Sequence, residues 1–280
     1  MPIAPPAATV APRFDPVYLT EDDLDDLASF TGMPREECLR RLRSYSPREL
    51  AEAWRRADPK MPEEILAFYA TTDLYIWELM QWHASEARMP YWQILQEVTD
   101  RFPPHAGYQR VLDFGCGIGT DSLFLASRGY EVTLMDVDGP TLQFARHRFA
   151  RRGMRASIIP VRSFLPVLQN VYDMILCFDV FEHLPDPLGT ARRLVRAMRF
   201  GGVLVQKASS FRNDDYPHHL SGGVARFNGM RWHIALVGLG LRTDAGSAYR
   251  RVRGLPLYIQ KFRYVLWKAT GIWMVHIGKG

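Results

Sequence analysis

Two periodicities divide the chain. Up to about residue 102, apolar side chains recur at the spacing of amphipathic helices. Thr20 followed by Asp22, Asp23 and Leu24 sets a capping hydroxyl and early-turn acids ahead of such a stretch, so a helix is predicted to begin near Glu21. Further helical patterns run over Pro34–Arg43, over Pro47–Arg56 and from Pro62 to about Phe102, each entered by proline or a capping residue. Beyond Pro103–Gln109, short apolar runs alternate with longer amphipathic ones, the pattern of a parallel sheet covered by helices on both faces.

In that second part the predicted strands are Arg110–Phe114, Glu131–Asp136, Ala156–Val161, Tyr172–Phe178 and Gly202–Ala208. Helices fit between them at Gly119–Ser127, Pro140–Arg152 and Pro187–Met198. A helix over Val224–Val237, a strand over Leu241–Ser247, a basic aromatic helix over Leu257–Ala269 and a strand at Ile272–Ile277 would complete the sheet. The expected organisation is an arm over 1–19, an all-helical region over 20–102 and an α/β domain over 103–280.

Composition changes this picture little. Hydrophobic residues make up 47% and charged residues 23% of the 280, which suits a folded enzyme-sized unit and not a disordered chain. The formal charge of +5 is spread over several helices, so nucleic acid has no specific signal here. Cys38, Cys116 and Cys177 form no close pair and no metal-ligand spacing, which favours a reducing compartment, with the cytoplasm as the expected location. Met1–Pro16 is rich in proline and alanine and reads as a flexible arm, not a secretion signal. No apolar run approaches the ~18 residues of a spanning helix, although the basic and aromatic stretch Lys261–Lys268 suits peripheral contact with a membrane surface.

Candidate chemistry centres on Val111-Leu112-Asp113-Phe114-Gly115-Cys116-Gly117-Ile118-Gly119-Thr120, an apolar strand running into a glycine-rich turn that opens a helix. Glycine permits positive φ there and lets a ligand approach the backbone. The spacing is G-x-G-x-G preceded by an acid, where a dinucleotide site wants G-x-G-x-x-G. Asp113 would crowd a pyrophosphate but suits a cationic amino-acid moiety. Asp136, followed by Val137, ends the second strand about twenty residues on, where a carboxylate accepts from ribose hydroxyls. The competing reading makes Asp136 a cap for the helix at Pro140, a role for which Asp138 is better placed.

From about Arg110 to Lys207 the chain resembles the class I S-adenosylmethionine (SAM)-dependent methyltransferases. Asp113, Gly115, Cys116, Gly117 and Gly119 look like the first motif of that family, and Asp136 like its ribose-holding acid. Tyr172–Leu184 looks like its fourth-strand motif, and Arg199-Phe200-Gly201-Gly202 stands where the family usually has Pro-Gly-Gly. The resemblance implies a Rossmann-like, seven-stranded, mostly parallel sheet with SAM as cofactor, and a methyl-transfer region lined by Phe178 and Asp179. Where the family commonly has an acid for the adenine amino group, this chain has Arg162-Ser163-Phe164, leaving Ser163 and Phe164 as the adenine-side candidates.

His183 has two readings, a general base or part of the turn Leu184-Pro185-Asp186-Pro187. Asp179, Glu182 and His183 are metal-ligating types, but no further partner is evident nearby and no metal is expected. Asp214-Asp215-Tyr216-Pro217-His218-His219 is either a solvated loop or an acceptor-binding one in which Tyr216 contacts the acceptor and His218 or His219 acts as, or relays to, the base. Phe68, Tyr69, Tyr75, Trp77, Trp82, Tyr91 and Trp92 suit helix packing, while the resemblance implies a helical lid, with Tyr75 and Trp77 as substrate contacts. Arg146, Arg148, Arg151, Arg152 and Arg155 are expected on a solvated helix face.

The function these features favour is SAM-dependent methylation of a small-molecule acceptor. The rivals are nucleic-acid or protein methylation, and methylation of a lipid by a peripherally bound enzyme. The chain lacks the Asn- or Asp-Pro-Pro-aromatic run of amino-methylating DNA enzymes and the Pro-Cys pair of cytosine attack. A dinucleotide-dependent oxidoreductase is disfavoured by the glycine spacing.

Overall fold

The computed structural model describes residues 19–163, 168–208, 216–220 and 229–253. Helix α1 (Glu21–Thr31) starts at a capping box in which Thr20 and Asp23 each accept from the other's backbone N–H. It is followed by α2 (Arg35–Ser44), α3 (Pro47–Ala57), α4 (Pro62–Thr71), α5 (Leu74–His83) and α6 (Met89–Arg101). A single 3-10 turn at Pro104–Ala106 leads into the sheet, inside the boundary expected from the sequence.

The sheet comprises β1 (Arg110–Phe114), β2 (Glu131–Val137), β3 (Ser157–Val161), β4 (Tyr172–Phe178), β5 (Met198–Lys207), β6 (Leu241–Ala245) and β7 (Ala248–Arg251) in the order β3-β2-β1-β4-β5-β7-β6. Strands β1 to β5 pair in parallel and β7 runs antiparallel to both β5 and β6, the expected mostly parallel arrangement. Between the strands lie α7 (Thr120–Ser127), α8 (Pro140–Arg151), α9 (Pro187–Ala197) and α10 (Met230–Gly238). Side chains alternate along each strand, so Val111, Met174, Leu176 and Val203 pack with α6, α7 and α8 while Leu112, Ile175, Cys177 and Leu204 pack with α9 and α10. Burial on both faces explains why β4 is apolar without a break from Met174 to Phe178.

Several expectations are corrected. Strand β5 begins at Met198, not Gly202, because Met198 pairs with Tyr172 before the register shifts and resumes at Met174–Val203. The helix expected from Val224 starts, among the described residues, at Met230. A turn at Gly246 folds β7 back on β6, so Ala248–Arg251 fills the sheet position expected for Ile272–Ile277. That later strand, the helix over Leu257–Ala269, the membrane-facing stretch Lys261–Lys268 and the arm over 1–18 lie outside the described residues. Among the described residues no helix is long and apolar enough to cross a membrane.

The arginines expected on a solvated face divide between that face and a buried ion-pair network. Arg148 is 1% exposed and donates to Asp26, Asp23, the Thr120 hydroxyl and the Ile118 carbonyl. Arg151 and Arg152 also bond Asp26, which is fully buried, while Arg151 itself lies in the open with Arg146 and Arg155. Four acids of α1, Asp22, Asp23, Asp25 and Asp26, thereby meet the last turn of α8 and the residue after it, where cations complement the helix dipole. Leu27, Leu42, Ile76, Trp77 and Met80 close the same junction by packing with Ile118 and Phe144.

Candidate functional site

The parallel sheet reverses its winding between β1 and β4, and in open α/β sheets the crevice beyond the carboxyl ends of such strands is where ligands sit. The glycine turn opens there. Gly115, Gly117 and Gly119 all have positive φ, at 70°, 53° and 74°. They are also crowded, since a Cβ on Gly115 would lie 2.4 Å from Val180 and one on Gly117 2.8 Å from Leu79 of α5. Gly119 is the N-cap residue of α7, so the turn delivers a helix N-terminus to the crevice. The Cys116 thiol is buried, which raises its pKa well above the ordinary range.

Asp136 lies across from the turn and accepts from the backbone N–H of Gly117 and of Val137, both at 2.7 Å. Burial raises its pKa and the two N–H donors oppose the rise. It does not cap α8, whose N-cap is Gly139 with no side-chain bond. Asp138 does not cap it either, because it pairs with exposed Arg162 while Gly139 continues the extended backbone. Ser163 is exposed at the end of β3, and Phe164 lies outside the described residues.

Asp113 is 3% exposed and accepts from the Ser122 hydroxyl at 2.6 Å. Burial, with repulsion from Asp121, pushes its carboxyl up to about 8. Asp121 is ion-paired with buried Arg88. Beside them, Asp179 adopts a left-handed φ of 50° and accepts from the Tyr91 hydroxyl at 2.7 Å. Burial pushes Asp179 up to about 6, against the Tyr91 bond and the charges of Arg88 and Lys207. The Lys207 ammonium sits 3.9 Å from the Tyr91 ring centroid, and Phe178 meets the same ring edge-on at 5.4 Å. Three carboxyls thus share two cations, Arg88 and Lys207, and a third positive charge entering the crevice would relieve them.

The helical region closes on this crevice. Leu79 abuts Gly117, the backbone of Tyr69 and Ala70 in α4 abuts Gly139, and Arg88 and Tyr91 reach Asp121 and Asp179. Tyr69, Arg88, Tyr91, Asp121 and Lys207 were not expected at the site. Only the aromatic density of the helices hinted at two of them, and nothing in local spacing could reveal the pairing across the junction.

A second group forms beside the crevice, where the short turn Phe181–His183 after β4 meets residues 216–220. The Leu220 N–H donates to the Glu182 carbonyl at 2.7 Å and fixes the two segments together. His183, His218 and His219 then lie with ring centroids 4.8–5.3 Å apart, and Tyr216 stacks on His219 at 5.3 Å. Tyr75 meets His218 and His183 edge-on, and the Tyr69 hydroxyl is 3.3 Å from His183 Nδ1. Trp77 is not with them: it is buried between α2 and α5 with the Arg41 guanidinium over its ring. Burial holds the His183 pKa well below its ordinary value and pushes that of His218 down to about 3.

Comparison with known proteins agrees with this geometry. Residues 112–206 match the family model described as a methyltransferase domain. The ubiquinone biosynthesis O-methyltransferase of Bordetella avium is 32% identical over 96 residues, which cover 34% of this chain and 40% of that protein. Glycine N-methyltransferase of Homo sapiens is 31% identical over 138 residues, covering 42% and 45%. A solved phosphoethanolamine N-methyltransferase 2 of Haemonchus contortus, in complex with S-adenosyl-L-methionine, aligns at 20% identity with a TM-score of 0.43, over 54% of this chain and 37% of that one. The chain spans less than half the length of these curated relatives. With the matched model, the strand order and the positive-φ glycine turn agreeing, residues 112–206 are a methyltransferase domain of the class I SAM-dependent type.

Proposed function

We propose that this chain transfers the methyl group of SAM to a small-molecule acceptor held between the crevice and the N-terminal helices. The observation that carries the reading is Asp136, whose carboxylate spans Gly117 and Val137 at the mouth of a turn that only glycine can adopt. In this reading Asp136 and Val137 hold the ribose, and Gly115, Cys116, Gly117 and Gly119 bring backbone close to the amino-acid moiety. Asp113 and Asp179 supply the negative field for its positive charges. Ser163 and Phe164 remain the adenine-side candidates.

When bound, the cofactor supplies an electrophilic methyl on a sulfonium. The protein's part is to align the acceptor and exclude water, and oriented reactants gain up to ~7–11 kcal/mol from pre-paid entropy. Helices α4, α5 and α6 are the lid that does so. Tyr75 and Tyr216 flank the acceptor, and His183, His218 and His219 hold its O–H or N–H. Neutral buried imidazoles suit hydrogen bonding to that group better than complete proton abstraction, because an effective base has a pKa near the working pH.

Calorimetry of the chain with SAM, its demethylated product and NAD tests the reading. SAM and the product should bind and NAD should not, and Asp136→Ala should weaken SAM by roughly 1.5–3 kcal/mol. Tight NAD binding without SAM binding would overturn it.

A further inference from the structure

We infer that His183, His218 and His219 form a binding site for one divalent transition-metal ion, zinc foremost, with an open coordination position facing the acceptor. Metal binding stands independently of methyl transfer, whereas the use of the open position rests on the reading above.

The first argument is convergence. The ligand nitrogens of the three side chains all lie within 4.8 Å of one another. A tetrahedral zinc ion with bonds of ~2.0–2.1 Å needs its nitrogens about 3.3 Å apart, which is within reach of small ring rotations. Two of the three rings come from 216–220 and one from the turn after β4, and the Leu220–Glu182 backbone bond holds those segments in register. The site is therefore seated on a sheet edge and does not depend on a single loop.

The second argument is an orphaned atom. His218 is 1% exposed, and its Nδ1 has no hydrogen-bond partner among the described residues. Leaving a buried polar nitrogen unpaired costs about 1–3 kcal/mol, and a metal ion is a partner that would satisfy it.

The third argument is tautomer control. His183 Nδ1 lies 3.3 Å from the carbonyl oxygen of His218. A carbonyl can only accept, and the Tyr69 hydroxyl at the same distance can accept as well as donate, so in the tautomer that satisfies the carbonyl Nδ1 carries the proton and the lone pair of His183 is on Nε2. A backbone carbonyl gripping the far N–H of the ring is how metal-binding histidines are usually oriented.

Three imidazoles with no thiolate and no fourth protein ligand in the group describe an open site, the form zinc takes where it binds a water or substrate oxygen. Tyr69, Tyr75 and Tyr216 surround it. With the ion bound, an acceptor hydroxyl would meet the histidines through the open position instead of by the direct hydrogen bonds given above, and the metal ion would make its proton more acidic.

The test uses the tag-free full chain, stripped with a chelator and titrated with Zn²⁺ or Co²⁺. The expected result is one equivalent bound per chain, a visible cobalt spectrum of tetrahedral intensity, and a rise in thermal midpoint with Zn²⁺. His183→Gln with His218→Gln should weaken zinc at least 100-fold, with binding of the demethylated cofactor product as the check on folding. No stoichiometric uptake by the wild-type chain, a weak octahedral cobalt spectrum, or unchanged affinity in the double variant would each overturn the proposal. Because SAM binding is measured separately, loss of the methyl-transfer reading and loss of the metal site give different results.

Discussion

Gly139→Ala is the most direct probe of how the helical region meets the cofactor domain. Gly139 has φ −152° and ψ −174°, extended backbone that any residue adopts, so the substitution brings no torsional strain. Its added Cβ would instead lie 2.8 Å from the Tyr69 carbonyl oxygen, 2.9 Å from the Ala70 Cα and 3.0 Å from the Ala70 carbonyl oxygen. All three are backbone atoms of α4, so no side chain can swing aside. Carbon contacts relax only near 3.5–4.0 Å, and α4 must therefore retreat by roughly half an ångström or more. Overpacking of this kind costs about 1–3 kcal/mol. At about 2–4 °C per kcal/mol for a chain of this size, the thermal midpoint should fall by roughly 2–12 °C. The same retreat would draw the Tyr69 hydroxyl from His183, now 3.3 Å away, and limited proteolysis should cut the helical region sooner. A variant with the wild-type midpoint and proteolysis pattern would refute the seating of α4 on the loop after β2.

Two further outcomes follow from the buried charges. Asp26→Ala removes the fully buried carboxylate shared by Arg148, Arg151 and Arg152, leaves Arg148 only Asp23, and should cost about 3 kcal/mol in urea denaturation, against less than about 1 kcal/mol for Asp22→Ala at the exposed end of the same network. Equal effects would show that the network is not buried in solution. Asp113 sits near 8 in the unliganded protein, so a bound ammonium should draw off its proton. At pH 7, calorimetry of the demethylated product in buffers of different ionisation enthalpy should then register proton release, and Asp113→Asn should abolish it. The same variant should gain stability over the wild type as pH rises. The raised folded pKa means that wild-type stability falls from about pH 4 up to about pH 8 and is flat beyond, whereas asparagine does not titrate. A difference that shrinks with pH would contradict the assignment.

What the sequence made legible was local. The Thr20 capping box, the ends of β1 and β4, and the glycine turn are each decided by residues a few positions apart, and each is where the pattern put it. β7 was hidden because Tyr249-Arg250-Arg251 looks like a polar loop. In the sheet Ala248 and Tyr249 are buried, while Arg250 reaches Asp244 and Arg251 reaches Asn170. The α8 arginines were misread for a related reason: a cationic helix face looks solvated until the acids opposite it are known, and those acids are in α1. The histidine group was half visible. The neighbouring carboxyl ends of β4 and β5 led one to expect His183 and the loop after β5 to converge, but the Leu220–Glu182 bond that fixes how they meet leaves no local pattern.

The junction of α1 with α8 also bears on when the chain can settle. Asp23 and Asp26 bond Arg148 and Arg152 across sequence separations of 122–129 residues. During synthesis α1 emerges well before α8, carrying Asp22, Asp23 and Asp26 and an apolar face whose partners there do not yet exist. It must wait until about half the chain has followed. Long-range closure of this kind slows folding. A segment made well before its partners is then among the last to lock, and until it does the buried arginine of α8 lacks its acids.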